Sequence, residues 1–237
     1  MIKKILKKIS RIKVQGIAVF WALLNQPTLR FHLVKLRYFF LKRKLKFHRT
    51  LDSENFEKKI VDYNAVFHDA AFGCGGRMAI LLYPLFGFFN PTYNKKLLII
   101  GPRTEDDIIW AKAIGFEDVR GLDLFSYSPW IDIGDAHKTD YPNDTFDAVI
   151  LSWILPYTKT PDVMIREVKR ITKNEGFLVV GWHWVSDDNV LRVDSIRGNN
   201  INSFSDVQRL VGGDIQMGIN PNLKTDHNKA IFSRLSK

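Results

Sequence analysis

The sequence is short of the features that most directly announce a function. It has one cysteine in 237 residues, Cys74, which excludes an internal disulfide framework and a cysteine-based zinc site and suits a reducing compartment, so a cytoplasmic location is expected. Residues 1–50 contain no Asp or Glu but fourteen Lys and Arg, while the other twenty-one basic residues and all twenty-five acids follow, so the net +10 divides into +14 and −4. A segment so one-sided points to an anionic partner, a lipid surface or a nucleic acid. No apolar run reaches the roughly 20 residues of a membrane-spanning helix; the longest uncharged stretches, 14–29 and 78–94, both contain Pro. Neither G-x-G-x-x-G nor G-x-x-x-x-G-K-[ST] occurs, which argues against a dinucleotide or P-loop phosphate site. The six His show no metal-ligand spacing, and no metal is expected.

What is present begins with the basic segment, read here as residues 1–51. Ile2, Ile5, Leu6, Ile9 and Ile12 recur at helical spacing with Lys and Arg on the other face, the pattern of a basic amphipathic helix. Residues 29–47 again mix large apolar and aromatic side chains with Arg and Lys, as in a helix lying in a headgroup layer, and Pro27 separates the two helices. A cleaved signal peptide is the competing reading of the first 25 residues, but no small-residue cleavage site follows and retention is expected. The segment is therefore expected at an anionic membrane surface. RNA is the alternative, since Arg and Lys interleaved with aromatics also suit backbone contact and stacking. The bland alternative is that it packs on the rest of the chain with its charges solvated.

Residues 52–93 read as a helical or irregular lead-in with a turn at 74–77. From residue 94 the pattern is clearer. "LLII" before Gly101 and Pro102 is a buried strand, "DVRGLDL" a second containing Asp123, "WIDIGD" a brief third ending at Asp135, "FDAVILSW" a fourth and "FLVVGWHW" a fifth. Helices are expected after Thr104, after Thr160-Pro161-Asp162 and over "SDVQRLV", and "DIQMGIN" with "KAIFSRL" can close an antiparallel hairpin. The alternation predicts an α/β fold with a mostly parallel sheet. In such sheets ligands sit beyond the carboxyl ends of the strands, so Gly101, Asp123, Asp135 and Ser152 should converge on one crevice.

Residues 134–181, "GDAHKTDYPNDTFDAVILSWILPYTKTPDVMIREVKRITKNEGFLVVG", resemble the second half of the class I S-adenosylmethionine-dependent methyltransferase domain, in the branch whose pattern reads "gDa…lPf.d.sFD.V…….d….l.E..RvLkpGG.l". The resemblance implies a Rossmann-like seven-stranded sheet over residues 94–237, with S-adenosylmethionine as cofactor. It matches Gly101 to the first glycine of the cofactor loop, Asp123 to the acid that binds the ribose hydroxyls, and Asp135 with Ala136 to the adenine contact. Ser152 would open onto the methionine end. The chain departs from the family at Ile99, where an acid usually stands, and at Arg103 and Glu105, where glycines stand. The short interval from Asp123 to Asp135 implies a turn in place of the intervening helix. Acids at 105–107 would repel a pyrophosphate but tolerate a sulfonium and an ammonium, and Arg103 could pair with the cofactor carboxylate.

Methyl transfer to oxygen needs an aligned hydroxyl and a base for its proton. His183 and His137 are the candidate bases, Tyr157 can orient the acceptor, and Trp153, Trp182 and Trp184 can form an aromatic wall or simply core. The leading expectation is a methyltransferase O-methylating a lipid-linked or cell-surface glycan precursor at the inner face of the membrane. Two readings compete with it: a catalytically inactive docking module that keeps the fold, and an RNA-directed methyltransferase.

Overall fold

Runs of apolar residues without alternation make strands buried on both faces, and they dominate this chain. The computed structural model describes residues 16–17, 19–48, 77–102, 104–184, 199, 201, 203–221 and 227–237. The amphipathic helix expected at 2–12, most of the lead-in and residues 74–76 of its turn lie outside these. Strands β2 (Lys96–Ile100), β3 (Asp118–Asp123), β5 (Ile131–Ile133), β6 (Phe146–Ser152) and β7 (Thr172–Trp184) are joined by β8 (Asp214–Ile219) and β9 (His227–Arg234) in one seven-stranded sheet of order β5-β3-β2-β6-β7-β9-β8. The first five run parallel, and β9 lies antiparallel between β7 and β8. This is the expected Rossmann-like sheet with its terminal hairpin.

Successive strand residues face opposite sides, which builds two cores. Leu97, Ile99, Ala148, Ile150 and Val179 pack against helices α2 (Ala79–Phe89) and α3 (Asp106–Ala113). Leu98, Ile100, Val149, Leu151 and Val180 pack against α4 (Pro161–Ile171) and α5 (Phe204–Val211). Helix α4 shows the logic in miniature. Pro161 pre-sets its first turn, and Met164, Ile165, Val168 and Ile171 form one buried stripe, each side chain contributing about 1.5–3 kcal/mol by leaving water. The chain leaves β2 toward β3 on one side and returns at β6 on the other, so the sheet's switch point lies between β2 and β6.

Between β3 and β5 there is no helix. The two-residue strand β4 (Phe125–Ser126) and a turn fill the interval, as the short spacing implies, and β4 pairs antiparallel with β1 (Lys46–Phe47) from the basic segment. That segment is not merely appended. Its helix α1 (Pro27–Leu41), with Pro27 in the first turn, buries Arg30 and Val34, and Val34, with Leu24 from the turn before the helix, packs on Ile109 of α3. Arg30 donates to Asp106 at 2.8 Å, and Arg37 donates to Glu105 through two bonds of 2.5 and 3.0 Å. Two of the basic residues expected to face an anionic partner thus serve internal ion pairs. The expectation that the acids of 105–107 meet the cofactor's cations is corrected for Glu105 and Asp106: Glu105 is wholly buried, and both acids turn toward the arginines of α1.

Candidate functional site

The carboxyl ends of β2, β3, β5 and β6 enclose one cavity, and Gly101, Asp123, Asp135, Ala136, His137, Ser152 and Tyr157 all line it. Gly101 has φ +77°, and an added Cβ would stand 2.1 Å from Cγ2 of Ile154. The glycine is required by the turn and by this contact, so the space its missing side chain leaves is taken by Ile154. Asp123 ends β3, and its Oδ1 accepts the Leu124 N–H at 2.8 Å.

Asp135 organises the next loop. Its Oδ1 accepts the backbone N–H of His137 at 2.9 Å and lies 2.6 Å from His137 Nδ1. Nε2 of the same ring lies 2.5 Å from the Thr158 hydroxyl. Burial works to raise the Asp135 pKa, but bonds from the His137 ring and backbone, with the nearby charges of His137 and His48, hold it below the usual carboxylate value. An ionised Asp135 fixes a proton on Nδ1, so in the neutral form of the ring Nε2 is the acceptor for the Thr158 hydroxyl. The loop is pinned from α4 as well: Thr139 donates to Glu167 through both its N–H and its hydroxyl, each at 2.7 Å, and Arg170 clamps the same carboxylate. These bonds hold the Glu167 pKa at about 2. The "E..R" pair of the quoted motif therefore fastens the loop that carries Asp135 and His137.

Ser152 stands at the end of β6, buried, and its Oγ is the one fully buried side-chain polar atom without a hydrogen-bond partner among the described residues. Beside it Trp153 adopts φ +58°, a left-handed conformation that costs an aromatic residue about 1–2 kcal/mol. Its indole N–H donates to Asn228 Oδ1 at 2.8 Å, and the guanidinium of Arg77 lies 4.5 Å over the ring.

The remaining candidates separate. His183 is exposed, stands 3.5 Å from Asn228 and does not line the cavity, so the histidine placed against the site is His137. Arg103 lies outside the described residues, as does the side chain of Trp184. Trp182 is buried in the core, not in a wall facing the site. Among the described residues no group of three or more His, Cys, Asp or Glu could hold a metal ion. Arg77, Thr158 and Glu167 escaped sequence reasoning. Only Glu167 had a signal, its spacing of three from Arg170 inside the quoted motif.

Residues 115–180 match the family model described as "Methyltransferase domain". Over that stretch the chain carries a methyltransferase domain, and the sheet around it has the class I fold. No curated protein matches this methyltransferase by sequence. Among solved structures it is similar to a complex between the Haloferax volcanii Trm112 methyltransferase activator and a candidate methyltransferase, at 13% identity and TM-score 0.54 over 78% of this chain and 99% of that one. It is also similar to the trans-methyltransferase CalH in complex with SAH, at 13% identity and TM-score 0.51 over 65% and 55% of the two chains. These likenesses concern the fold. The fit to the cofactor rests on this site: two strand-end carboxylates suit ribose hydroxyls and an adenine amine, and the partnerless Ser152 hydroxyl offers one further bond.

Proposed function

We propose that this methyltransferase works at a membrane surface and O-methylates a lipid-linked or cell-surface glycan precursor. The membrane part rests on one observation. Of the thirteen large hydrophobic side chains that are exposed among the described residues, ten lie between Ile17 and Phe47, with Phe39 and Phe40 at 63% and 67% exposure. Exposed Lys35, Lys42, Arg43 and Lys44 accompany them, and each basic residue near an anionic surface contributes about 1 kcal/mol. Apolar side chains with a basic rim suit an anionic bilayer better than RNA, which would leave the aliphatic ones in water. No helix among the described residues is long and apolar enough to cross a membrane, so the chain would lie on the surface it binds.

In the site, Asp123 and Asp135 would hold the adenosine part of S-adenosylmethionine, with Gly101 and Ser152 beside its methionine part. The cofactor supplies an electrophilic methyl group on a sulfonium. Thr158 and His137 give the acceptor proton a route: the acceptor hydroxyl donates to Thr158 Oγ1 as the Thr158 proton passes to His137 Nε2. Asp135 stabilises the imidazolium so formed. Tyr157, on the cavity wall, would orient the acceptor.

The test uses the full chain with phosphatidylglycerol and phosphatidylcholine vesicles and the variant Phe39→Asp/Phe40→Asp. The wild type should sediment with the anionic vesicles, and the double substitution should weaken binding about a hundredfold or more, given about 1.5–3 kcal/mol for each buried Phe. Methyl label from the cofactor should enter the glycolipid extract of membranes. A wild type that stays in the supernatant, or label recovered in RNA, would sink the reading.

A further inference from the structure

Among the described residues three arginines lie over tryptophan rings. Arg30 stands 4.1 Å over Trp110 and also pairs with Asp106; Arg37 stands 4.0 Å over Trp130 and also pairs with Glu105. Arg77 stands 4.5 Å over Trp153, but here the carboxylate is missing: among the described residues its guanidinium makes no hydrogen bond or ion pair. This incomplete stack is also the one that lines the cavity. A guanidinium carries five donors and is not deprotonated in proteins, so the stack presents a fixed cation with its donors uncommitted.

We infer that Arg77 and Trp153 form an anion-reading subsite, and that the acceptor carries a carboxylate or phosphate near its reacting hydroxyl. The inference rests on the methyltransferase reading of the site and adds the charge of its substrate. The shelf is rigid, because the Trp153 ring is held by Asn228 at 2.8 Å and packs beside Gly181, whose added Cβ would meet the ring at 3.4 Å. Its place in the sheet separates it from the adenosine end. Asp123 and Asp135 belong to the β3 and β5 side, whereas Trp153 follows β6 and is tied to β9 through Asn228. Neither cavity acid is paired with Arg77: Asp135 Oδ1 holds His137, and Asp123 Oδ1 accepts the Leu124 N–H. A bound cofactor adds a sulfonium and an ammonium to the same crevice. Arg77 beside those cations is favourable only where an anion joins them, and an anionic acceptor would be drawn to guanidinium and sulfonium alike.

The experiment titrates inorganic phosphate into the full-length wild type, Arg77→Gln and Arg77→Lys, each with and without S-adenosylmethionine, and separately titrates S-adenosylmethionine and its decarboxylated analogue. Thermal melts confirm that the variants fold. Phosphate should bind the wild type more tightly when the cofactor is present. Arg77→Gln should weaken phosphate about tenfold or more, as expected for loss of a charge-assisted pair, while leaving cofactor affinity unchanged, and Arg77→Lys should retain part of the phosphate affinity. Unchanged phosphate affinity in Arg77→Gln would overturn the inference. So would a loss of affinity for S-adenosylmethionine but not for the decarboxylated form, which would assign Arg77 to the cofactor's own carboxylate. If the wild type bound no cofactor, the methyltransferase reading would fail by itself, and the cofactor-free titration would still decide whether Arg77 binds an anion.

Discussion

The Ser152 hydroxyl is buried without a partner, a condition that costs a folded protein about 1–3 kcal/mol. Replacing it by alanine should therefore raise stability, by about 1 kcal/mol in thermal denaturation, and should weaken S-adenosylmethionine about tenfold by calorimetry because the ligand loses a bond. Stability and affinity moving together would show that Ser152 has no ligand role. Glu167 gives a prediction with the opposite logic. Its pKa is held at about 2 in the folded chain, from an ordinary value of 4.5. The unfolded chain takes up the proton first as pH falls below 4.5, so the stabilisation is complete above that value and is lost progressively toward pH 2. Melting temperatures between pH 5 and about 2 should fall less steeply for Glu167→Gln than for the wild type, and parallel curves would contradict this. The convergence of Asp123, Asp135 and Ser152 on one cavity was legible in the sequence because an apolar run fixes where a strand stops. Thr158 and Arg77 were not, since one acquires its role from His137 twenty-one positions earlier and the other from Trp153 seventy-six positions later.

Helix α1 is the element that joins the basic segment to the cofactor domain, and it does so mainly with charge. Arg37 is partly exposed while Glu105 is wholly buried, so removing the arginine leaves a buried carboxylate that keeps the Ser128 hydroxyl as a donor but loses its counter-charge. Arg37→Ala should destabilise the protein by about 3–5 kcal/mol in urea unfolding. The combined Arg37→Ala/Glu105→Ala variant should lose less than Arg37→Ala alone, and the reverse order would remove the pair from the account of stability. The mixture of apolar, aromatic and basic residues marked a helix over 29–47 and Pro27 the break before it; the helix stops at Leu41, and a short 3-10 turn and the strand β1 follow. Nothing local distinguishes Arg30 and Arg37, which turn inward, from Lys35, Lys42 and Arg43, which face water. The pairing partners lie more than sixty residues away, and sequence spacing carries information only over a few turns. The absent helix between β3 and β5 was readable for the contrary reason, because the interval from Asp123 to Asp135 is short beside the one the family resemblance implies.

Taken whole, the molecule divides its charge into two populations. Arg30 and Arg37 are committed to acids inside the protein, whereas the exposed Lys35, Lys42, Arg43 and Lys44 stand among exposed aromatic side chains. Salt screens exposed charges far more than buried pairs, so vesicle binding is expected to fall with ionic strength at nearly constant melting temperature. The sheet order has a different kind of consequence, one of timing. Strand β7 ends at Trp184, but the neighbour that covers its edge, β9, begins only at His227. As the chain leaves the ribosome, the parallel half of the sheet is complete while that edge still presents unpaired backbone groups, which can template the wrong partner. The order of synthesis thus leaves the β7 edge of this sheet open until the last strand, β9, has emerged.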